Sequence, residues 1–216
     1  MCKIIRMNKK ESSKLKSIYK MMVNLYGVID IDNAYEIVSS FIPSISKIEL
    51  SNDLLLRSGN DNDGYKIAKY DAQHLLIYHD IYLNQFEAEE LLNAQTVDSY
   101  YIPKNLKEVE YYTDELWWRN DDSVIISDML EVLINLFTNN SDICSILLDE
   151  MRKCFNMGKP KEEIITLLQK YHIDTDKHII EAKLLMGSYH EMEVYSKSHI
   201  LKGYSLREIW KEKGEM

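Results

Sequence analysis

Apolar residues recur at helical spacing from the start of the chain. Over residues 9–26, Leu15, Ile18, Met22 and Leu25 share one face, Asn8 and Glu11 stand in capping-box relation, and Gly27 supplies a stop. After Val28-Ile29, Asp30 or Asp32 caps a short helix with Ala34, Tyr35, Ile37 and Val38, which Pro43 ends. Ser46 and Glu49 form an S-x-x-E box opening a third helix, 46–57, with Leu50, Leu54 and Leu55 directed to a core. Gly59 and the run 60–64 (Asn-Asp-Asn-Asp-Gly) break the chain. Tyr65–Tyr70 and Leu75–Leu83, with a polar joint at Asp71–His74, read as a β-hairpin. Three helices followed by a hairpin is the order of a winged helix-turn-helix.

Beyond Asn84 the pattern is helical almost to the end. Asn84/Glu87 and Asn105/Glu108 repeat the capping geometry, with an extended stretch at 99–103 before the second. Residues 123–138 and 142–157 are amphipathic helices joined at Asn139-Asn140-Ser141. Gly158 and Pro160 lead to a helix with Ile164, Leu167 and Leu168. A longer helix runs from about Asp176 to Gly203, and Ser205/Glu208 box a last one with Ile209 and Trp210. The predicted fold is mainly α: a winged-helix-like module over 1–83, then an acidic α-helical domain over 84–216, with the joint near 84–104.

Composition agrees with that class. Only 7 Gly and 3 Pro among 216 residues exclude collagen-like and Pro-rich chains and disfavour turn-dense all-β folds. The net charge of −9 is uneven. Residues 1–20 hold seven bases against one acid, whereas residues 71–150 hold three bases against seventeen acids. An acidic middle attracts basic surfaces and repels phosphate backbones. Cys2, Cys144 and Cys154 make no even framework and no CxxC pair, which fits a reducing, cytoplasmic compartment. No run reaches the roughly 18 apolar residues of a membrane span, and the basic N-terminus lacks a signal-peptide core.

Three stretches carry a resemblance: LYGVIDIDNAYEIV at 25–38, SYYIP at 99–103 and LKGYSLREIW at 201–210. Together they resemble an uncharacterised family of low-GC Gram-positive bacteria and their mobile elements. The resemblance implies a winged-helix-like N-terminal part and a helical C-terminal part. Many members are linked to a Cys-rich, metal-binding SEC-C tail; that tail is absent here, so no zinc is carried over. The family brings no catalytic residues.

The residues themselves offer few chemical candidates. His172, Asp174, Asp176 and His178 alternate, so on an extended strand they would face one side at metal-ligand spacing. Asp174-Thr175-Asp176 reads better as a helix start. His74 and His79 point to opposite faces of a strand. The loop 59–64 resembles an EF-hand, but Gly59 and Tyr70 fall where carboxylates are needed. Asp114, Glu115, Asp121 and Asp122 flank the Trp117-Trp118 pair at helix ends, where acids serve as caps. The scattered glycines form no phosphate loop, and no GxSxG or Cys/His nucleophile pair occurs. The expectation is therefore a non-enzymatic interaction or regulatory protein with no cofactor and no membrane. Its type would be a mobile-element inhibitor or adaptor acting on a nucleic-acid-processing partner.

The expected partner is a protein with a basic surface, met by Glu87, Glu89, Glu90, Asp121 and Asp122, with one of Trp117 and Trp118 as an exposed anchor. The alternative is a DNA-binding winged-helix regulator, a homodimer through its C-terminal helices. It would hold nucleic acid through the basic N-terminal helix, with Lys9, Lys10, Lys14 and Lys16 as contacts. The charges of the 46–57 helix (Lys47, Glu49, Asp53, Arg57) cancel, a weak footprint for a DNA-reading helix.

Overall fold

The first helix, α1 (Lys9–Tyr26), has the predicted apolar face, with Leu15, Ile18, Met22 and Leu25 fully buried. Its second half goes further, because Tyr19, Met21, Val23 and Tyr26 are also fully buried. A helix end covered on every side is the centre of its unit and not a surface element. The structure is a computed structural model describing residues 9–58, 64–69, 75–79, 83–137 and 140–214. Asn8, Cys2, the polar loop at 60–63, Tyr70, the hairpin joint with His74, and Asp80–Tyr82 lie outside the described residues.

From α1 the chain turns at Gly27, whose φ of 69° lies in the left-handed region, and enters β1 (Val28–Asp30). The sequence pattern does not mark Val28–Asp30 as a strand. Three residues are too few to show alternation, and its partner β3 lies about fifty residues downstream. Asp30 then accepts from the Asp32 and Asn33 amides and caps α2 (Ile31–Phe41). The Ser46/Glu49 capping box opens α3 (Lys47–Arg57). The hairpin follows as β2 (Tyr65–Lys69) and β3 (Leu75–His79), paired antiparallel with Ile67 opposite Ile77. In the sheet order β1-β3-β2, β2 is at the edge. Three helices, a hairpin and a short strand from the first turn make the winged-helix-like module.

The chain forms two compact units, Met1–Trp117 and Trp118–Met216. Residues 84–117, which the sequence pattern groups with the C-terminal helices, therefore pack with the first unit. The reason is the polar and aromatic chemistry at the end of α1. The buried Asn24 Nδ2 donates to the Tyr112 and Asp114 carbonyls at 2.8 and 3.2 Å. Tyr26 donates to the Tyr101 carbonyl, its own carbonyl accepts from Gln95, and its ring meets Tyr100 edge-on at 5.0 Å. A buried amide or phenol needs such partners, and the 99–103 stretch and the residues that follow α4 (Gln85–Ala94) and α5 (Leu106–Tyr111) supply them. The split also divides the acidic middle. The first unit holds 13 bases against 18 acids and the second 13 against 17.

The second unit begins within α6 (Trp117–Asp121) and continues through α7 (Ser123–Leu136), α8 (Ser141–Asn156) and α9 (Glu163–Lys170). The helices α10 (Ile179–Tyr195) and α11 (Leu206–Lys213) complete it. Its core joins Met129 and Leu133 of α7, Leu147 and Met151 of α8, Leu168 of α9 and Leu185 of α10. The long helix expected over 176–203 is shorter at both ends. Asp174 caps a turn before α10 instead, accepting from the Lys177 amide and pairing with its ammonium at 2.9 Å. At the other end, Ser196 is extended, and Arg152 donates to the Lys197 carbonyl at 2.8 Å, which draws the chain off the helix axis.

Ser205 and Glu208 cap α11 reciprocally, and Lys197 pairs with Glu208 at 2.9 Å. Ser205→Ala is expected to lower unfolding stability by about 1 kcal/mol. Urea denaturation of the full chain checks this, and the Ser205→Asn variant should recover most of the loss. Among the described residues no helix is long and apolar enough to cross a membrane.

Candidate functional site

The helix ahead of the hairpin, α3, is held from below by a buried polar network. Tyr19 of α1 donates to Asp53 Oδ2 at 3.0 Å, and Arg57 Nε donates to the same oxygen at 2.7 Å. Arg57 Nη2 donates to Ser12 Oγ at 2.9 Å, so α1 and α3 are clamped at both ends of the guanidinium. Burial, with the Asp53 charge beside it, drives the Tyr19 phenol well above its usual range. Burial opposes the Arg57 charge, yet the hydrogen bond and charge of Asp53 outweigh it and hold the guanidinium more firmly protonated.

The remaining charges of α3 are also engaged within the fold. Lys47 pairs with Asp32 on α2. Glu49 takes the Ser46 amide, which with the Ser46 hydroxyl keeps its carboxyl below the usual range. With Leu50, Asp53, Leu54 and Arg57 directed inward, the outward stripe is Ile48, Asn52, Leu55 and Leu56. Ile48 and Leu56 are 75% and 78% exposed, and Leu55, expected in the core, is 49% exposed. At 100° per residue Leu55 lies about 200° from Asp53 and about 140° from Leu50, on the side away from the buried face. The helix that would read DNA thus offers solvent an apolar face whose charges are all committed.

The basic N-terminal helix does not form a single anion-facing surface. Lys14 donates to the Phe41 carbonyl and Lys20 pairs with Glu115 at 3.0 Å. Lys10 and Lys16 are exposed, and the side chain of Lys9 lies outside the described residues. Beside α3, the edge strand carries Lys66 and Lys69, both exposed. With Arg57, Ser58, Tyr78 and Gln85 they line a cleft of about 370 Å³.

The expected tryptophan anchor is corrected: both rings are buried, at 3% and 4% exposure. Trp117 meets Tyr112 edge-on at 4.9 Å inside the first unit. Trp118 belongs to the second, flanked by the Arg119 and Arg152 guanidinium groups at 5.3 and 5.2 Å from its ring centre. Asp122 is likewise no surface acid. It is buried and accepts from Arg152 at 3.0 Å, and desolvation pushes its carboxyl up despite the paired cation. Asp121 is exposed in the same unit. Glu87, Glu89 and Glu90 lie on α4 in the first unit, where Glu87 completes the Asn84 capping box and Glu89 accepts from Gln85. The five acids are therefore distributed over two units and two roles.

The alternating His172–His178 run is a turn. His172 has φ of 63°, and His178 pairs loosely with Glu181 at 3.9 Å. Among the described residues no group of three His, Cys, Asp or Glu side chains is placed to hold a metal ion. His79 is buried at 1% exposure on β3, and desolvation lowers it to about 4. Cys144 is buried and Cys154 half-buried, and burial pushes both thiols up, away from the reactive thiolate.

No protein-family model, curated protein or solved structure matches the chain.

Proposed function

We propose that the protein is a non-enzymatic interaction protein, an inhibitor or adaptor that docks another protein through the exposed face of α3. The observation that supports this is the outward stripe Ile48, Leu55 and Leu56 on a helix whose charged side chains are all engaged within the fold. DNA-reading helices need cations free for phosphates and polar groups for base edges, whereas a protein interface is built around apolar anchors. The partner that fits has an apolar patch bordered by basic groups, which complement a chain of net charge −9. The resemblance to a mobile-element family makes a nucleic-acid-processing machine the natural place for such a partner.

Affinity purification from the native host, with nuclease treatment, tests this. A protein partner captured by the full chain should survive nuclease and be lost on Ile48→Glu/Leu56→Glu. That double variant should keep the parent melting temperature, since both side chains are exposed. Capture of the same proteins by the variant would overturn the proposal.

A second reading is a DNA-binding winged-helix regulator. The sheet order β1-β3-β2, with α3 placed just before the hairpin, favours it. It requires duplex binding that weakens steeply with salt, and a flat titration at low salt rules it out.

A further inference from the structure

Helix α10 is apolar on two sides. Its inward face, Ala182, Leu185, Tyr189 and Met192, is buried in the second unit. The opposite face carries Ile180 and Leu184, 69% and 54% exposed, with Ile179 and Tyr195 exposed toward its two ends. A surface helix keeps polar residues on its outer side, whereas a helix apolar on both sides is covered on both. At 100° per residue the outward face is centred on Gly187: Ile180, Lys183 and Glu191 lie within about 40° of it and Leu184 within about 60°. Gly187 is itself exposed, and a Cβ there would meet no atom within 4 Å. Packing within the chain therefore does not require glycine at this mid-helix position, where alanine is more favourable. What glycine permits is the close approach of another backbone.

The residues on either side of Gly187 complement one another. Four positions before it stands Lys183 and four after it Glu191, both exposed. Seven before it is Ile180 and seven after it Val194; eight before it is Ile179 and eight after it Tyr195. In an antiparallel pair of α10 helices with a twofold axis beside Gly187, each residue meets the one equally far on the other side. Lys183 of one copy then faces Glu191 of the other, twice over, and apolar side chains face apolar ones. Packed helices lie about 8–10 Å apart, a separation these side chains span. The outward charges Lys183 and Glu191 cancel, so this face is balanced within a chain of net charge −9. A self-complementary face fits a copy of itself. We propose that α10 is a homodimer interface in which two chains pair antiparallel about Gly187.

The test is sedimentation velocity of the full chain over a concentration series, at low and moderate salt. The parent should sediment as a dimer in equilibrium with monomer. Lys183→Glu and Glu191→Lys should each weaken association about tenfold, because each sets like charges together at two symmetric positions. The combined Lys183→Glu/Glu191→Lys variant should recover the parent affinity, since the pairs are then only exchanged. Leu184→Glu and Gly187→Leu should also weaken the dimer. Both should leave the melting of dilute monomer unchanged, as Leu184 is half exposed and a side chain at 187 meets nothing. A parent that stays monomeric at every concentration would overturn the proposal. So would a dimer indifferent to Leu184→Glu, which places the contact on another surface. A combined charge variant no tighter than the single ones would overturn the antiparallel register, and the proposal with it. Lowered melting of a monomeric Leu184→Glu variant would overturn it by showing that the face is covered within the chain. The α3 variant Ile48→Glu/Leu56→Glu should dimerise as the parent does, so this result is separate from the docking test.

Discussion

Arg152→Ala is expected to destabilise the second unit by about 3–5 kcal/mol, the largest effect of any single substitution considered. Arg152 is 4% exposed and does several jobs at once. It donates to Asp122 at 3.0 Å and to the Lys197 carbonyl at 2.8 Å, and stacks over Trp118 and over Phe155 at 5.2 and 4.8 Å. Removing it leaves the Asp122 carboxylate buried without its cation, leaves the Lys197 carbonyl without this donor, and opens a void between two aromatic rings. Desolvation already raises the Asp122 carboxyl even with Arg152 present, so burial outweighs the attraction. A pair of that kind costs much to break and little to replace as a whole. Asp122→Leu/Arg152→Met should therefore recover most of the stability lost in Arg152→Ala, measured by urea unfolding. A double variant as unstable as the single one would show that the packing over Trp118, and not the charge pair, dominates.

The second large effect is a pH dependence centred on His79. Its folded value of about 4 lies well below the unfolded imidazole near 6.5. Below pH 6.5 the unfolded chain takes up a proton that the folded chain refuses, so stability falls as pH falls. The loss builds between pH 6.5 and 4, reaches roughly 3 kcal/mol, and levels off once the folded form is also protonated. Burial is the main cause; Glu115 opposes it and Lys20 adds to it. His79→Gln should flatten that window in a pH series of urea unfolding curves. An unchanged slope would assign the acid sensitivity to carboxylates elsewhere.

The α3 stripe shows where sequence reasoning stops. Ser46/Glu49 located the start of the helix to the residue, because a capping box is a local arrangement of four residues. The net neutrality of Lys47, Glu49, Asp53 and Arg57 was also legible. Which of these charges face solvent was not, because Lys47 meets Asp32 and Arg57 meets Ser12 only after α2 and α1 have packed against α3. The cleft was even less visible: eight residues separate Arg57 from Lys66, and only the packing of β2 beside α3 puts them together. The tryptophans are a similar case. As neighbours in sequence they read as one candidate anchor, yet Trp117 and Trp118 serve two different cores.

What the sequence determined by itself is the mainly helical class, the three-helix and hairpin order, and most helix starts. Those follow from capping residues and 3.6-residue periodicity, which act within one or two turns. The tertiary structure alone decided the short strand β1, the boundary after Trp117, the burial of Asp122 and both tryptophans, and the apolar outward face of α3. Each of these depends on partners tens of residues away. The buried ends of Asn24 and Tyr26 must find hydrogen-bond partners, and they find them in residues 95–114, which makes that stretch part of the first unit.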